Sequence, residues 1–150
     1  MKMSYGRFAA MIATSTIVMF GLMYSTTYQL NHATWSETRF YMALYMGAVM
    51  AIIMLAFMLT MYTSKVVNAA IFIGSAVLIV LALTLARSQT LVEDVDYMSA
   101  MIPHHSIAIL TSERAQITDP RVRELADGII EAQRREIDEM KTLIDDLEDE

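Results

Sequence analysis

Three long apolar segments occupy the first part of the chain, at residues 8–30, 41–62 and 66–86, and none contains a charged side chain. A helix needs about 20 predominantly apolar residues to cross roughly 30 Å of hydrocarbon. Aromatic residues such as Tyr5 and Trp35 lie near the segment ends, as expected at a lipid headgroup boundary. We therefore predict three transmembrane helices. Burial of all three in a soluble core is disfavoured, because so short a chain has too little polar surface to cover them.

The basic residues that flank these segments predict the orientation of the chain. One side of the membrane would hold Lys2, Arg7 and Lys65, and the other would hold Arg39 and Arg87. Since short cytoplasmic loops carry the excess of Lys and Arg, this difference favours a cytoplasmic N-terminus. The chain after the third segment would then lie on the periplasmic side of a bacterial inner membrane. The first segment is too long for a signal peptide and lacks a following Ala-x-Ala motif, so we expect it to be retained.

Methionine recurs every four residues along the second apolar segment. The repeat consists of Met42, Met46, Met50, Met54 and Met58, with Met61 after it. One interpretation is a ladder of thioethers that passes a soft cation across the bilayer. The other is flexible apolar packing, for which methionine is well suited. Packing is favoured, because a conducting path would normally carry a polar or ionisable group at mid-depth and this segment has none.

After the third apolar segment, the hydrophobic pattern changes to that of two amphipathic helices. The first runs from about residue 94 to 117, and Pro103 within it predicts a kink or a restart. Asp119 and Pro120 then form a helix start signal, an N-cap followed by a proline in the first helical position. The second helix, residues 120–147, carries a coiled-coil-like seam of Ala126, Ile130, Gln133, Ile137, Met140, Ile144 and Leu147.

These elements predict an all-α fold with two domains. Residues 1–90 would form a three-helix transmembrane bundle, and residues 91–150 would form an extramembrane antiparallel helical hairpin. A two-helix hairpin buries little surface by itself. We therefore expect a homo-oligomer, most simply a dimer whose two hairpins complete a four-helix bundle.

Charge and composition narrow the range of functions. The chain up to residue 92 has five basic residues and one acidic residue, whereas residues 93–150 have 16 acidic and six basic residues. So acidic a domain argues against nucleic acid as a partner. The chain has no cysteine, so any soft metal ligand must be a methionine thioether or a histidine imidazole. No Ser-His-Asp set, phosphate-binding glycine loop or HExxH motif is present, and no pair of groups suits general acid–base catalysis, so we do not expect an enzyme.

The stretch YMSAMIPHHSIAIL, residues 97–110, combines histidine and methionine at helical spacing. Met98, Met101 and His105 stand at i, i+3 and i+7, which is one face of a helix. His104 is rotated by about 100° from His105 and either joins this face or points away from it. The stretch is therefore a candidate metal site built from soft ligands.

Folding the hairpin about residue 118 brings part of the second helix opposite this face. The facing pairs are His105 with Gln133, Met101 with Glu136, and Met98 with Met140. Thioether and imidazole ligands without thiolate suit Cu(I), whereas zinc prefers His with carboxylate or Cys, and calcium takes oxygen ligands. The alternative is that the histidines are core residues bonded to Gln133 and that the methionines only pack. His32 lies alone in the loop LNHATWSE, where a histidine is usually solvated, and a metal role for it is the less favoured alternative.

Two separated motifs within about residues 94–147 read DYMSAMIPHHSIAI and DPRVRELADGIIEAQRREIDEMK. In this order they resemble the bacterial family named domain of unknown function 305. The matching positions are Met101, Ile102, His104, His105, Ala108, Asp119, Pro120, Leu125, Ala126, Ile129, Ile130, Gln133, Glu136, Ile137 and Met140. The resemblance implies a ferritin-like helical bundle, and it implies copper binding and copper tolerance outside the cytoplasm.

The resemblance also implies a ligand set. Carried over residue by residue, the copper ligands are Met98, Met101, His104, His105 and Met140, with Gln133 and Glu136 beside them. Many relatives have a further methionine where this chain has Thr111, which leaves the number of metal ions open. We expect a membrane-anchored periplasmic protein that binds copper as Cu(I) and either sequesters it or hands it to a copper-handling partner protein. The alternative is a membrane-anchored dimerisation or interaction module without a metal.

Overall fold

The computed structural model describes residues 4–149, and within that range the chain is all-α, as predicted. One short 3-10 turn, at Leu30–His32, lies between the first two helices. The helices are α1 (Tyr5–Leu22), α2 (Glu37–Phe57), α3 (Lys65–Ser88), α4 (Asp94–Arg114) and α5 (Pro120–Glu148). The described residues contain no strand. The ferritin-like character implied by the resemblance stays a prediction.

The helices divide into two compact units. The first, here the apolar unit, comprises the chain up to Met23 and Thr38–Leu91. The second, here the hairpin unit, comprises Tyr24–Glu37 and the chain from Val92 onward. The two units separate near residue 91, and the predicted division into two domains stays a prediction. The segment Tyr24–Glu37 differs, because the sequence places it in the first domain and the structure places it in the hairpin unit.

Each helix of the apolar unit is long and apolar enough to cross a membrane. The three helices contain 18, 21 and 24 residues, and their most apolar windows have mean hydropathies of 1.3, 2.1 and 2.6. The first two are shorter than predicted: α1 ends at Leu22 instead of residue 30, and α2 ends at Phe57 instead of residue 62. In the turn that follows α1, Thr27 Oγ1 donates to the Tyr24 carbonyl at 3.0 Å.

A small core and a polar clamp hold the apolar unit together. Phe8, Leu55 and Tyr62 are almost fully buried against one another. Beside them, the Tyr5 hydroxyl donates to Oδ1 of Asn68 at 2.8 Å. Asn68 Nδ2 in turn donates to the Tyr62 carbonyl at 2.7 Å, so this buried amide has partners for both its donor and its acceptor atoms.

The hairpin unit is built from α4 and α5, which pack against each other through a core of Ile102, Ile109 and Ile137. The predicted helix start is confirmed, since the Asp119 side chain accepts from the Arg121 N–H at 2.9 Å. The predicted seam is largely buried or packed on this core, with Leu147 at its end still 43% exposed.

Helix α4 runs without a break through Pro103, which is fully buried. Proline lacks an N–H, so the carbonyl of Ser99, four residues earlier, loses its partner in the helix. The hydroxyl of Thr34 replaces that partner and donates to the Ser99 carbonyl at 2.5 Å. The helix therefore tolerates proline because the segment Tyr24–Glu37 supplies the missing hydrogen bond.

Two further contacts fix the segment Tyr24–Glu37 on α4, and both involve Ser106, which is completely buried. The backbone N–H of Tyr28 donates to Ser106 Oγ at 2.6 Å. His32 Nδ1 lies 3.0 Å from the same oxygen. These contacts lie on the same turns of α4 that carry the histidine and methionine motif.

Candidate metal centre

An open groove of about 650 Å³ runs between α4 and α5. Four of the five predicted ligands line it, which are Met98, Met101, His105 and Met140. Most of its wall is apolar, and the carboxylates of Asp94, Glu136, Glu139 and Asp146 also line it. The two helices therefore bring Met140 of α5 to the same groove as the two thioethers and the imidazole of α4.

Met98 and Met140 are held firmly by the core of the hairpin unit. Met98 is 8% exposed, and Met140 packs against the cluster around Ile137. Methionine has three rotatable bonds and a polarisable sulfur, so its terminal atoms can adjust to a bound ion while the stem stays packed. A soft ion could thus be accommodated with little movement of the two helices.

His104 is the predicted ligand that the structure does not bring into the groove. It is exposed, and its ring centroid lies 6.2 Å from that of His105 with a tilt of 59° between the planes. Adjacent residues on a helix point about 100° apart, so only one of the two can share the face of Met98 and Met101.

His105 is a largely buried imidazole beside a single carboxylate. Its Nδ1 lies 3.1 Å from Glu136 Oε2, and the side chain is 15% exposed. The contact has an ion-pair distance but not the alignment of a hydrogen bond, so this buried nitrogen has no well-directed partner. Burial lowers the pKa of His105, Glu136 partly raises it, and His104 lowers it again. The neutral form, which is the form that ligates metals, is therefore favoured.

Gln133, predicted to face His105, instead donates from Nε2 to Glu136 Oε2 at 3.3 Å. It does not line the groove, and His105 contacts Glu136 one turn further along α5. Side chains on a helix lean toward its N-terminus, so each residue covers the surface over the preceding turn. Pairing backbone positions alone therefore misplaces the contact by about one turn.

The donor set fits a soft monovalent ion better than a hard one. Within residues 4–149, no group of three or more histidine, aspartate or glutamate side chains converges in a way that could hold a metal. A zinc or di-iron site made of such groups is thus not formed by this part of the chain. Three uncharged thioethers and one neutral imidazole are the ligand types that suit Cu(I).

His32 is a residue whose environment the sequence did not reveal. A solvated loop histidine was predicted, and this is wrong, because the residue is only 7% exposed and bonded to Ser106. Burial lowers its pKa, as does Lys141, while Asp138 raises it. A separate cavity of about 210 Å³ lies beside it, and Asp138 and Arg134 line that cavity. No local pattern marks this position, since its partner lies 74 residues away.

Comparisons with known proteins agree with the motifs. A model of the family described as Domain of unknown function (DUF305) matches residues 84–150. The chain is also similar to the Uncharacterized protein L153 of Acanthamoeba polyphaga mimivirus, with 33% identity over 109 residues that cover 71% of this chain and 70% of the viral protein. The region aligned with the viral protein is longer than the region matched by the family model, so it extends into the apolar unit. No solved structure matches the chain. The chain therefore belongs to the DUF305 family.

Proposed function

We propose that this protein is a membrane-anchored copper-binding protein that holds Cu(I) in the groove between α4 and α5. The supporting observation is the convergence of Met98, Met101, His105 and Met140 on that groove. Its role is to sequester the ion or to hand it to a partner protein. Catalysis is not part of the proposal, which requires only binding and release of the ion.

The chemistry of the ligands would let such a site work outside the cytoplasm, where the pH can fall. Thioethers do not take up protons in water, so acid does not compete with copper for them. His105 is held mainly neutral by burial, with its pKa below the ordinary value of 6.5. The single carboxylate next to it, Glu136, can balance the charge of a monovalent ion.

We further propose that the protein sits in a bacterial inner membrane with the hairpin unit on the periplasmic side. After three crossings, the hairpin lies on the side of the membrane opposite the N-terminus. The loop after the first crossing lies on that same side. The hydrogen bonds between the segment Tyr24–Glu37 and α4 are consistent with both lying on the same side of the membrane. The charge bias for this orientation depends in part on Lys2, which lies outside the described residues.

A homodimer that completes a four-helix bundle fits the exposed apolar surface of the hairpin. Tyr97, Leu143 and Leu147 line the groove yet remain 55%, 45% and 43% exposed. Exposed apolar side chains in one patch commonly mark an interaction surface. The same observation favours the alternative function, an interaction module in which the groove receives a helix and binds no metal.

Copper titration separates these two functions. The full chain in detergent micelles is titrated with Cu(I) against a competing chelator, because a fragment from residue 91 would lack the segment that bonds to α4. Met101→Leu and His105→Ala are expected to weaken copper binding by at least tenfold each, whereas His104→Ala is the matched control outside the groove and should have little effect. Equal competition by the parent and all three variants would leave the interaction module as the function.

A further inference from the structure

Methionines from two helices of the apolar unit meet in a second groove, of about 350 Å³. Its wall is almost entirely apolar and consists of Met19 from α1 together with Tyr45, Met46, Val49, Met50, Ile53 and Met54 from α2. Four thioethers thus line one groove inside a unit whose helices are apolar enough to span a membrane. The copper groove in the hairpin unit shares none of these residues.

A close approach of α1 and α2 brings the methionines together. Gly47 has no side chain, and a Cβ at that position would overlap the side chain of Thr16. Thr16 uses its hydroxyl within α1, donating to the Ile12 carbonyl at 2.9 Å. Met19 follows Thr16 by one turn, and Met46 and Met50 flank Gly47 on α2. The contact at Gly47 therefore holds Met19 beside the methionine repeat, in the way small residues allow membrane helices to pack closely.

The methionine repeat does not behave as one uniform stripe. Met58 packs against the buried cluster of Phe8, Leu55 and Tyr62, as expected of a residue that only fills space. Met46 is 37% exposed and lines the groove with Met50. Met54 also packs against this cluster, so packing accounts for Met54 and Met58, whereas Met46 and Met50 line the groove outside it.

We propose that Met19, Met46 and Met50 form a second binding site, for a soft monovalent cation such as Cu(I) or Ag(I). Residues four apart on a helix are separated by about 6 Å along its axis, so Met46 and Met50 can reach one ion from the same side and Met19 can reach it from α1. Hard cations need oxygen ligands, which the methionine side chains lack. Met54 stands one turn further on and packs on the buried cluster of the apolar unit, so the proposal is a binding site and not a path along α2.

The site should bind its ion more weakly than the hairpin groove and fill only at high metal concentration, since its ligands carry no charge and cannot neutralise the ion. A bare positive charge in an apolar environment is costly, and the coordination by thioethers offsets only part of that cost. This inference rests on the proposed copper function, because it supplies a second, weaker position for the same ion within the apolar unit.

Metal stoichiometry and X-ray absorption of the full chain in detergent micelles test the site, with Ag(I) and Cu(I) alone as probes. The parent is expected to bind two ions. Met46→Leu with Met50→Leu should lose one ion, since leucine is close to methionine in volume but offers no sulfur. Met58→Leu is the matched control and should still bind two.

The hairpin variant Met101→Leu with His105→Ala separates the two proposals. It should retain one ion whose absorption spectrum shows sulfur ligands only. If this variant binds nothing while the parent binds one ion, the second site is absent and the copper groove stands. If the variant binds as the parent does, the copper groove fails. Unchanged binding by Met46→Leu with Met50→Leu, or an equal loss in Met58→Leu, overturns the second site.

Discussion

The three histidines of this protein show how position on a helix and burial decide the chemistry of one residue type. His104 and His105 are neighbours in sequence, yet only His105 lines the groove with the methionines. His32 is buried by a segment far from the motif and bonds to Ser106. Both buried histidines have lowered pKa values with desolvation as the largest cause, so both favour the neutral form at neutral pH.

The pKa of His32 is expected to respond in opposite directions to its two charged neighbours. Asp138 raises it, so Asp138→Asn should lower it further, whereas Lys141→Gln should raise it toward 6.5. Imidazole chemical shifts of the full chain, followed by NMR against pH, measure both effects. Because the folded pKa lies below the unfolded one, His32 costs no stability well above pH 6.5 and increasingly destabilises the hairpin unit as the pH falls below it. Shifts of the same sign in both variants would contradict this placement.

Local sequence signals predicted most helices well and failed where a helix depends on distant partners. The start of α5 at Pro120 follows from the Asp119 cap, which is a local feature. Pro103 predicted a kink or a restart in α4; the helix does not restart, and Thr34 bonds to the freed carbonyl of Ser99, while the kink stays a prediction. That bond joins residues 65 positions apart and leaves no trace in the periodicity of α4.

Replacing Thr34 by valine should destabilise the hairpin unit by about 1–3 kcal/mol, since it leaves a partly buried carbonyl without a donor. Thr34→Ser keeps the hydroxyl and serves as the control. Adding Pro103→Ala to Thr34→Val should recover part of the loss, because alanine restores the backbone N–H that bonds to Ser99. Thermal unfolding in detergent, followed by fluorescence of the single tryptophan, Trp35, measures each variant. Equal stability of the parent and Thr34→Val would show that the bond contributes nothing.

At the scale of the whole molecule, the chain joins an apolar unit to a hairpin unit with an acidic composition. The segment Tyr24–Glu37 connects the first two apolar helices in sequence, but it belongs to the hairpin unit and bonds to α4. Loop and hairpin must therefore lie on one side of any membrane that the three helices cross. The protein has no cysteine, so single cysteines can report on that arrangement.

Asn31→Cys and Thr142→Cys should both react with a membrane-impermeant maleimide in intact cells, whereas Thr63→Cys should react only after the membrane is opened. All three positions are exposed, and Thr63 lies in the turn between α2 and α3. Which of the three cysteines react in intact cells tests both the orientation of the chain and the number of membrane crossings. Labelling of Thr63→Cys alone in intact cells would reverse the proposed orientation, and opposite behaviour of Asn31→Cys and Thr142→Cys would rule out three crossings.

The sequence by itself determined the all-α fold, the three apolar helices, the start of α5 and the face that carries Met98, Met101 and His105. These features follow from periodicity, hydropathy and caps, which act between residues a few positions apart. Only the tertiary structure decided that His104 points away, that His32 is buried, and that Met19 joins the methionines of α2. Each of those outcomes depends on contacts between distant residues, such as Tyr28 with Ser106, which form only when separate elements pack together.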